Sequence, residues 1–144
     1  MATYTVDASV FLNAFNPRES GHAKSQQFLA RLQEGACPIV VPTLLLPELA
    51  ATIGRGHRDS ALALRFVDAV SRIPHLVLVP VDSTLARQAM QVAADFRLRG
   101  SDAVYAAVAL RFGCSLVTLD REQLERVAPV LTARRPADAL VELA

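Results

Sequence analysis

Short apolar runs alternate with helical patterns along nearly the whole chain. The runs are rich in β-branched residues, as buried parallel strands are, and Ile39-Val40-Val41 is the clearest of them. They predict strands at residues 3–6, 39–41, 76–79 and 115–119, with a weakly patterned one at 130–131. Apolar residues spaced three and four apart predict helices at 10–15, 22–32, 44–53, 59–70, 83–96 and 101–112, then a helical turn after Asp120 and a tail helix from Pro136.

Strands separated by helices predict the fold class. Such a chain forms crossover connections, which give a mainly parallel sheet covered by helices on both faces. We therefore expect a three-layer α/β fold of about five short strands, in a single domain over residues 1–144. Ligands of such sheets bind beyond the carboxyl ends of the strands, so the polar residues that follow each strand are the first candidates for a site.

Composition excludes disorder and adds an expectation about assembly. Hydrophobic residues make up 52% of the chain and charged residues 20%. The apolar excess suggests that some surface is covered, and we expect a homodimer, with helical surface around 28–32 or 44–49 contributing. A net charge of +1 gives no global attraction for nucleic acid, so any contact needs a local patch.

Two such patches stand out, Arg55 with Arg58 and Arg97 with Arg99. These arginines either bind phosphates or are simply solvated, and the sequence leaves both readings open.

The cysteines and the apolar segments bear on location. Cys37 and Cys114 have no paired spacing, which argues against a disulfide framework or a zinc site and favours a reducing cytosol. The first residues lack the basic start of a signal peptide. The longest apolar stretch, 39–53, is interrupted by Pro42, Pro47 and Glu48, so we expect no membrane span and a cytoplasmic protein.

Four acidic residues occupy unusual positions. Asp7 and Asp120 come where apolar strands end, whereas Glu48 and Asp102 lie in apolar helical segments. A carboxylate in apolar surroundings needs a partner, and Glu48 has no basic residue within six positions on either side. Hard oxygen donors around Mg²⁺ or Mn²⁺ would meet that need and would offset the repulsion among the acids.

Structural roles remain open for each of these residues taken singly. Asp7 and Asp120 could be turn or cap residues. Asp102 could be an acid in the first turn of a helix, where a negative charge interacts favourably with the helix N-terminus. Ser9 and Ser101 could hydrogen-bond water held at the acids or could cap helices.

The acids recur within four ordered motifs, and the set resembles PIN-domain proteins, especially the VapC-type toxins of toxin–antitoxin modules. The motifs are Val6-Asp7-Ala8-Ser9-Val10-Phe11-Leu12-Asn13-Ala14, Pro47-Glu48-Leu49-Ala50, Gly100-Ser101-Asp102-Ala103-Val104-Tyr105-Ala106-Ala107 and Leu116-Val117-Thr118-Leu119-Asp120. The resemblance implies a Mg²⁺- or Mn²⁺-dependent endoribonuclease, usually dimeric and inhibited by a cognate antitoxin. It also implies that the family's catalytic, metal-binding acids correspond to Asp7, Glu48, Asp102 and Asp120.

The expected chemistry is hydrolysis of an RNA phosphodiester. Water bound to the metal has a lowered pKa and supplies the nucleophile, while the ion offsets charge on the phosphate. If one ion binds, we expect Asp7 and Asp102 to bind it directly and Glu48 to act through water or to orient the nucleophile, and the role of Asp120 is the least defined. If two ions bind, they should lie about 3.5–4 Å apart.

Three other functions compete with a toxin. They are a housekeeping PIN-type nuclease of RNA maturation, a catalytically silent binding module on the same fold, and a phosphoacceptor receiver domain. A receiver needs a lysine at a late strand end, whereas the only lysine, Lys24, lies in an early helix.

Overall fold

A computed structural model describes residues 2–144, in which strands and helices alternate as the sequence predicts. The strands are β1 (Tyr4–Val6), β2 (Ile39–Pro42), β3 (Leu76–Val79), β4 (Ser115–Val117) and β5 (Ala133–Arg134). The helices are α1 (Ala8–Phe15), α2 (His22–Glu34), α3 (Leu45–His57), α4 (Ser60–Ser71), α5 (Ser83–Phe96), α6 (Gly100–Phe112), α7 (Arg121–Val127) and α8 (Pro136–Leu143).

All five strands form one parallel sheet in the order β3-β2-β1-β4-β5. Tyr4 of the central strand is in register with Ile39 on one side and Ser115 on the other. The chain builds outward from β1 to β3 and then crosses to the far side of β1 for β4 and β5. This confirms the predicted three-layer α/β class. It also creates a switch point between β1 and β4, where parallel sheets bind their ligands.

Helix α6 forms the centre of the core. It packs against α5 and against strands β1, β2 and β4, and it is buried along most of its length. Ala103, Ala106, Ala107 and Ala109 are almost inaccessible to solvent. Their small side chains let the helix approach the sheet closely, which fixes its N-terminal turn beside the carboxyl ends of β1 and β4.

Several predicted boundaries differ from the structure: β4 ends at Val117 rather than at Leu119, and two other differences are larger. Helix α3 does not stop at Gly54 but continues to His57, and Arg58 ends it in a left-handed conformation with φ of 49°. Packing of α3 along α4 overrides the weak helix propensity of glycine, since a Cβ built on Gly54 would lie 4.0 Å from that of Ala63. The basic segment Arg55–Arg58 is therefore mostly helical rather than a loop.

The last strand also lies later than the sequence predicts. Val130 and Leu131 donate their amides to the carbonyl of Val127, so they belong to the turn that follows α7. The ladder to β4 begins at Thr132, whose carbonyl accepts from Leu116, and it runs through Ala133–Arg134.

The surface expected to contribute to a dimer is largely internal. Four residues of the two expected helical segments are fully buried within the monomer: Phe28, Leu32, Leu45 and Leu49. They supply the interior face of their helices, so they are unavailable to a second copy. The exposed large apolar side chains lie elsewhere, among them Leu64, Met90 and Val141. Within residues 2–144, no helix is both long enough and apolar enough to span a membrane.

Candidate active site

Asp7 lies at the switch point of the sheet, between β1 and α1. It is only 7% exposed. Although it holds the N-cap position of α1, its side chain does not cap that helix but turns towards β4. Burial raises the pKa of its carboxyl group, and hydrogen bonds from Ser9 and Thr118 oppose that shift.

Two hydroxyl groups hold Asp7 in place. Ser9 Oγ and Thr118 Oγ1 donate to the same oxygen, Oδ2, at 2.8 and 2.9 Å. Each hydroxyl in turn accepts a backbone amide, from Leu119 at 3.1 Å and Asp120 at 3.0 Å. Because those amides occupy acceptor positions, the hydroxyl protons point to the carboxylate. Ser9 thus contacts Asp7 directly and does not cap α1. Thr118 belongs to the fourth sequence motif, but its only signal there was a polar residue in a predicted apolar strand.

Asp102 occupies the first turn of α6 and is half-buried. Its pKa is raised from 3.8 to about 6, first by burial and then by the negative charges of Asp7 and Asp120. Arg99 lowers it and Glu48 raises it further. Three acids from segments far apart in the sequence therefore act electrostatically on Asp102.

Glu48 lies in the first turn of α3, across from α6. The partner that the sequence did not reveal is Tyr105, whose hydroxyl donates to Oε1 of Glu48 at 2.6 Å. Burial raises the pKa of Glu48, the Tyr105 hydrogen bond lowers it, and Asp7 raises it again. Tyr105 is fully buried on α6, one helical turn after Asp102, and that spacing was the only available signal.

Asp120 is less buried and also has a structural role. Its Oδ1 accepts the amide of Gln123 at 3.1 Å and so caps α7. Its Oδ2 lies 3.9 Å from a guanidinium nitrogen of Arg99. The side-chain amide of Gln123, which is fully buried, donates to the carbonyl of Asp102 at 3.0 Å. Gln123 therefore joins the turns that carry two of the acids, and nothing in the sequence pattern singled it out.

The four candidate arginines are all exposed but differ in their surroundings. Arg55 lines a cavity of about 290 Å³ that also borders Glu48, whereas Arg58 forms the C-cap of α3. Arg99 pairs with Asp120 and, at 3.6 Å, with Glu122.

Arg97 ends α5 in a left-handed conformation, and its carbonyl accepts from Arg126. Ser101 lies beside Asp102 inside α6 and does not cap it, because Arg99 holds the N-cap position.

The donor chemistry of the acids fits a divalent cation such as Mg²⁺ or Mn²⁺. All four offer carboxylate oxygens. Burial and then repulsion from neighbouring acids raise the pKa of Asp102 and Glu48, and a dication would relieve that repulsion. Within residues 2–144, however, no three Asp, Glu, His or Cys side chains are already gathered as ligands of one ion. The acids fit the charge and the hardness of the ion, and their side chains would have to close around it.

A profile of the PIN domain matches residues 4–129, which include all four acids and every strand but β5. The chain belongs to the PIN-domain family. This PIN domain has no significantly similar sequence among curated proteins.

Solved structures show the same fold over nearly the whole chain. PAE2754 from Pyrobaculum aerophilum is 25% identical, with a TM-score of 0.71 over 99% of this chain and 95% of that one. VapC20 of Mycobacterium tuberculosis, described as a toxin that cleaves the sarcin–ricin loop, is 19% identical, with a TM-score of 0.72 over 93% and 100%. VapBC2 of Rickettsia felis, bound to promoter DNA, is 14% identical, with a TM-score of 0.72 over 92% and 98%.

Proposed function

We propose that this PIN domain is a Mg²⁺- or Mn²⁺-dependent endoribonuclease that acts in the cytoplasm as the toxin of a toxin–antitoxin pair. One observation carries the proposal: at the switch point of the sheet, burial and then the negative charges of Asp7, Asp120 and Glu48 raise the pKa of Asp102 to about 6, against the opposing charge of Arg99. A fold that only needed stability would gain by separating these charges. Their convergence favours a bound dication and a phosphate substrate.

Each acid has a distinct part in this proposal. Asp7 and Asp102 would bind the ion directly, since both lie at the switch point. Glu48 would hold the attacking water, since Tyr105 already occupies one of its oxygens. Asp120 would act at longer range, because it also caps α7. When bound, the ion would lower the pKa of water and offset charge on the phosphate.

Contact with RNA would involve the arginines near the acids. Arg55 follows Glu48 by two turns of α3, about 10 Å, and the cavity between them offers room for the substrate backbone. Arg99 already pairs with Asp120, and Arg97, which is also exposed, lies two residues before Arg99. We expect Arg99 to exchange its carboxylate partners for a phosphate when RNA binds. Arg58, which caps α3 beyond that cavity, would add longer-range attraction.

Protein partners follow from the relatives. A toxin–antitoxin complex from Klebsiella pneumoniae contains a chain of this fold that covers 94% of this chain, and VapBC2 of Rickettsia felis was solved bound to a DNA fragment from its promoter. We therefore propose a cognate antitoxin as partner. We also propose a homodimer, formed through exposed apolar surface rather than through the buried leucines of α2 and α3.

Cleavage assays test the proposal. The purified protein should cut RNA internally with Mg²⁺ or Mn²⁺ and not with EDTA. Asp7→Asn and Asp102→Asn should abolish cleavage and keep the fold, because each removes a charge and preserves shape. Asp82→Asn is the matched control, since this exposed aspartate only caps α5 and asparagine caps equally well. Cleavage that persists in EDTA or in Asp102→Asn would contradict the metal mechanism.

A further inference from the structure

Glu48 is held by a single side chain that does not itself belong to the acidic set. Tyr105 Oη lies 2.6 Å from Glu48 Oε1, a distance typical of a phenol that donates to a charged carboxylate. Tyr105 is fully buried, so its hydroxyl cannot turn to solvent instead. No ion pair involves Glu48 within residues 2–144, which leaves this hydrogen bond as its side-chain anchor.

The placement of Tyr105 links two of the acids. Asp102 and Tyr105 are three residues apart on α6, so they lie on adjacent turns of one face of that helix. Glu48 belongs to a different helix, α3. The hydrogen bond therefore fixes the carboxylate of α3 relative to the carboxylate of α6. It also leaves Oε2 of Glu48 as the oxygen available to an ion or a water.

We infer that Tyr105 is a positioning residue of this nuclease, which orients Glu48 towards the divalent ion or its water. This inference rests on the proposed function. Mutation of a residue that hydrogen-bonds to a metal ligand commonly lowers metal affinity or activity by about 10- to 100-fold. Loss of the hydroxyl should weaken binding of the ion and lower kcat by a factor in that range. It should leave KM for RNA unchanged because Tyr105 is inaccessible to the substrate.

Tyr105→Phe tests the inference, because it removes only the hydroxyl. The matched control is Tyr4→Phe, at the only other tyrosine, which is buried against Phe28. Tyr105→Phe should weaken Mn²⁺ binding about tenfold or more, measured from the EPR signal of free Mn²⁺. It should lower kcat at saturating metal by a similar factor, while Tyr4→Phe changes neither. Unchanged Mn²⁺ affinity and kcat in folded Tyr105→Phe would overturn the inference.

A spectroscopic test covers the case in which Tyr105→Phe does not fold. The chain has two tyrosines and no tryptophan, so emission from Tyr4→Phe protein reports Tyr105 alone. A carboxylate that accepts the phenol hydrogen bond quenches tyrosine emission more strongly than an amide does. Adding Glu48→Gln to Tyr4→Phe should therefore raise the emission, and Mg²⁺ should alter it only when Glu48 is present. Emission that responds to neither change would overturn the inference.

The results separate this inference from the proposed function. If the wild-type protein fails to cleave RNA but Tyr105→Phe still weakens Mn²⁺ binding, the nuclease proposal fails and the positioning role stands. If the wild type cleaves RNA and Tyr105→Phe matches it in Mn²⁺ affinity, kcat and KM, the positioning role fails and the nuclease proposal stands.

Discussion

Asp102→Asn should stabilise the metal-free protein at neutral pH although it removes a residue proposed to be essential for activity. The pKa of Asp102 is raised from 3.8 to about 6, first by burial and then by Asp7 and Asp120. A carboxyl group whose pKa is higher in the folded state binds its proton more tightly there than in the unfolded chain. Folding stability therefore falls as the pH rises from about 4 to about 6, and it stays lower above that range.

The size of the effect follows from the same shift. A pKa raised from 3.8 to about 6 corresponds to about 3 kcal/mol at neutral pH. Asp102 is only half-buried, so solvent screening reduces this to about 1–2 kcal/mol. Asparagine also loses the favourable interaction of a negative charge with the N-terminus of α6, about 0.5 kcal/mol. The net gain at pH 8 is about 1 kcal/mol.

Urea unfolding followed by circular dichroism measures the difference. In EDTA, the free energy of unfolding of Asp102→Asn should exceed that of the wild type at pH 8 and should match it or fall slightly below it near pH 4. The value for Asp82→Asn should stay close to that of the wild type at both pH values. Saturating Mg²⁺ should reverse the order at pH 8, because only the wild type gains from binding the ion. A variant that is less stable at pH 8 in EDTA, or a difference that does not change with pH, would refute the electrostatic reasoning.

Further predictions concern the hydroxyl groups that hydrogen-bond to Asp7, the arginines and the assembly. Thr118→Val should lower the free energy of unfolding by about 1–3 kcal/mol, because the amide of Asp120 and Oδ2 of Asp7 both lose a buried partner. An unchanged free energy of unfolding in a urea titration with EDTA would show that these two hydrogen bonds do not stabilise the fold. Arg55→Ala should raise KM for RNA more than Arg58→Ala does, since only Arg55 borders the cavity beside Glu48; equal KM values would contradict this. Reversing the charges of Arg97 and Arg99 should weaken RNA binding and flatten its salt dependence without altering Mn²⁺ affinity, and an unchanged salt slope would argue against their contact with phosphate. Light scattering should give twice the 15.5 kDa monomer mass at micromolar concentration, and a monomer would disprove the homodimer.

The sequence predicted the sheet and the four acids because both depend on local patterns. Apolar β-branched runs define the strands, and parallel strands bring their carboxyl ends to one edge. Asp7 and Asp120 could thus be assigned to that edge from their positions alone. Boundaries were less predictable where tertiary contacts decide them. Gly54 continues α3 because α4 packs beside it.

The contacts that hold the acids could not be predicted, because they join residues far apart in the sequence. Thr118 reaches Asp7 only because Val6 is in register with Val117, which sets β4 beside β1 without a shift. Periodicity indicates that a strand exists but not its register. Likewise, Tyr105 has the pattern of an ordinary core residue in an alanine-rich helix. Its role depends on the tertiary contact that brings Glu48 of α3 to its hydroxyl.

The site shows why these unpredicted contacts matter. Among residues 2–144, Arg99 is the one basic residue that forms an ion pair with any of the four acids, and it also pairs with Glu122. Burial raises the pKa of Asp7 and of Glu48, and hydrogen bonds from Ser9, Thr118 and Tyr105 partly oppose that rise. No such hydrogen bond opposes the raised pKa of Asp102. These neutral hydroxyls orient the two carboxylates but do not neutralise their negative charge. The remaining repulsion makes the metal-free fold less stable than its packing alone would allow, and under the proposed function a bound dication would recover that stability at the place proposed for the phosphate.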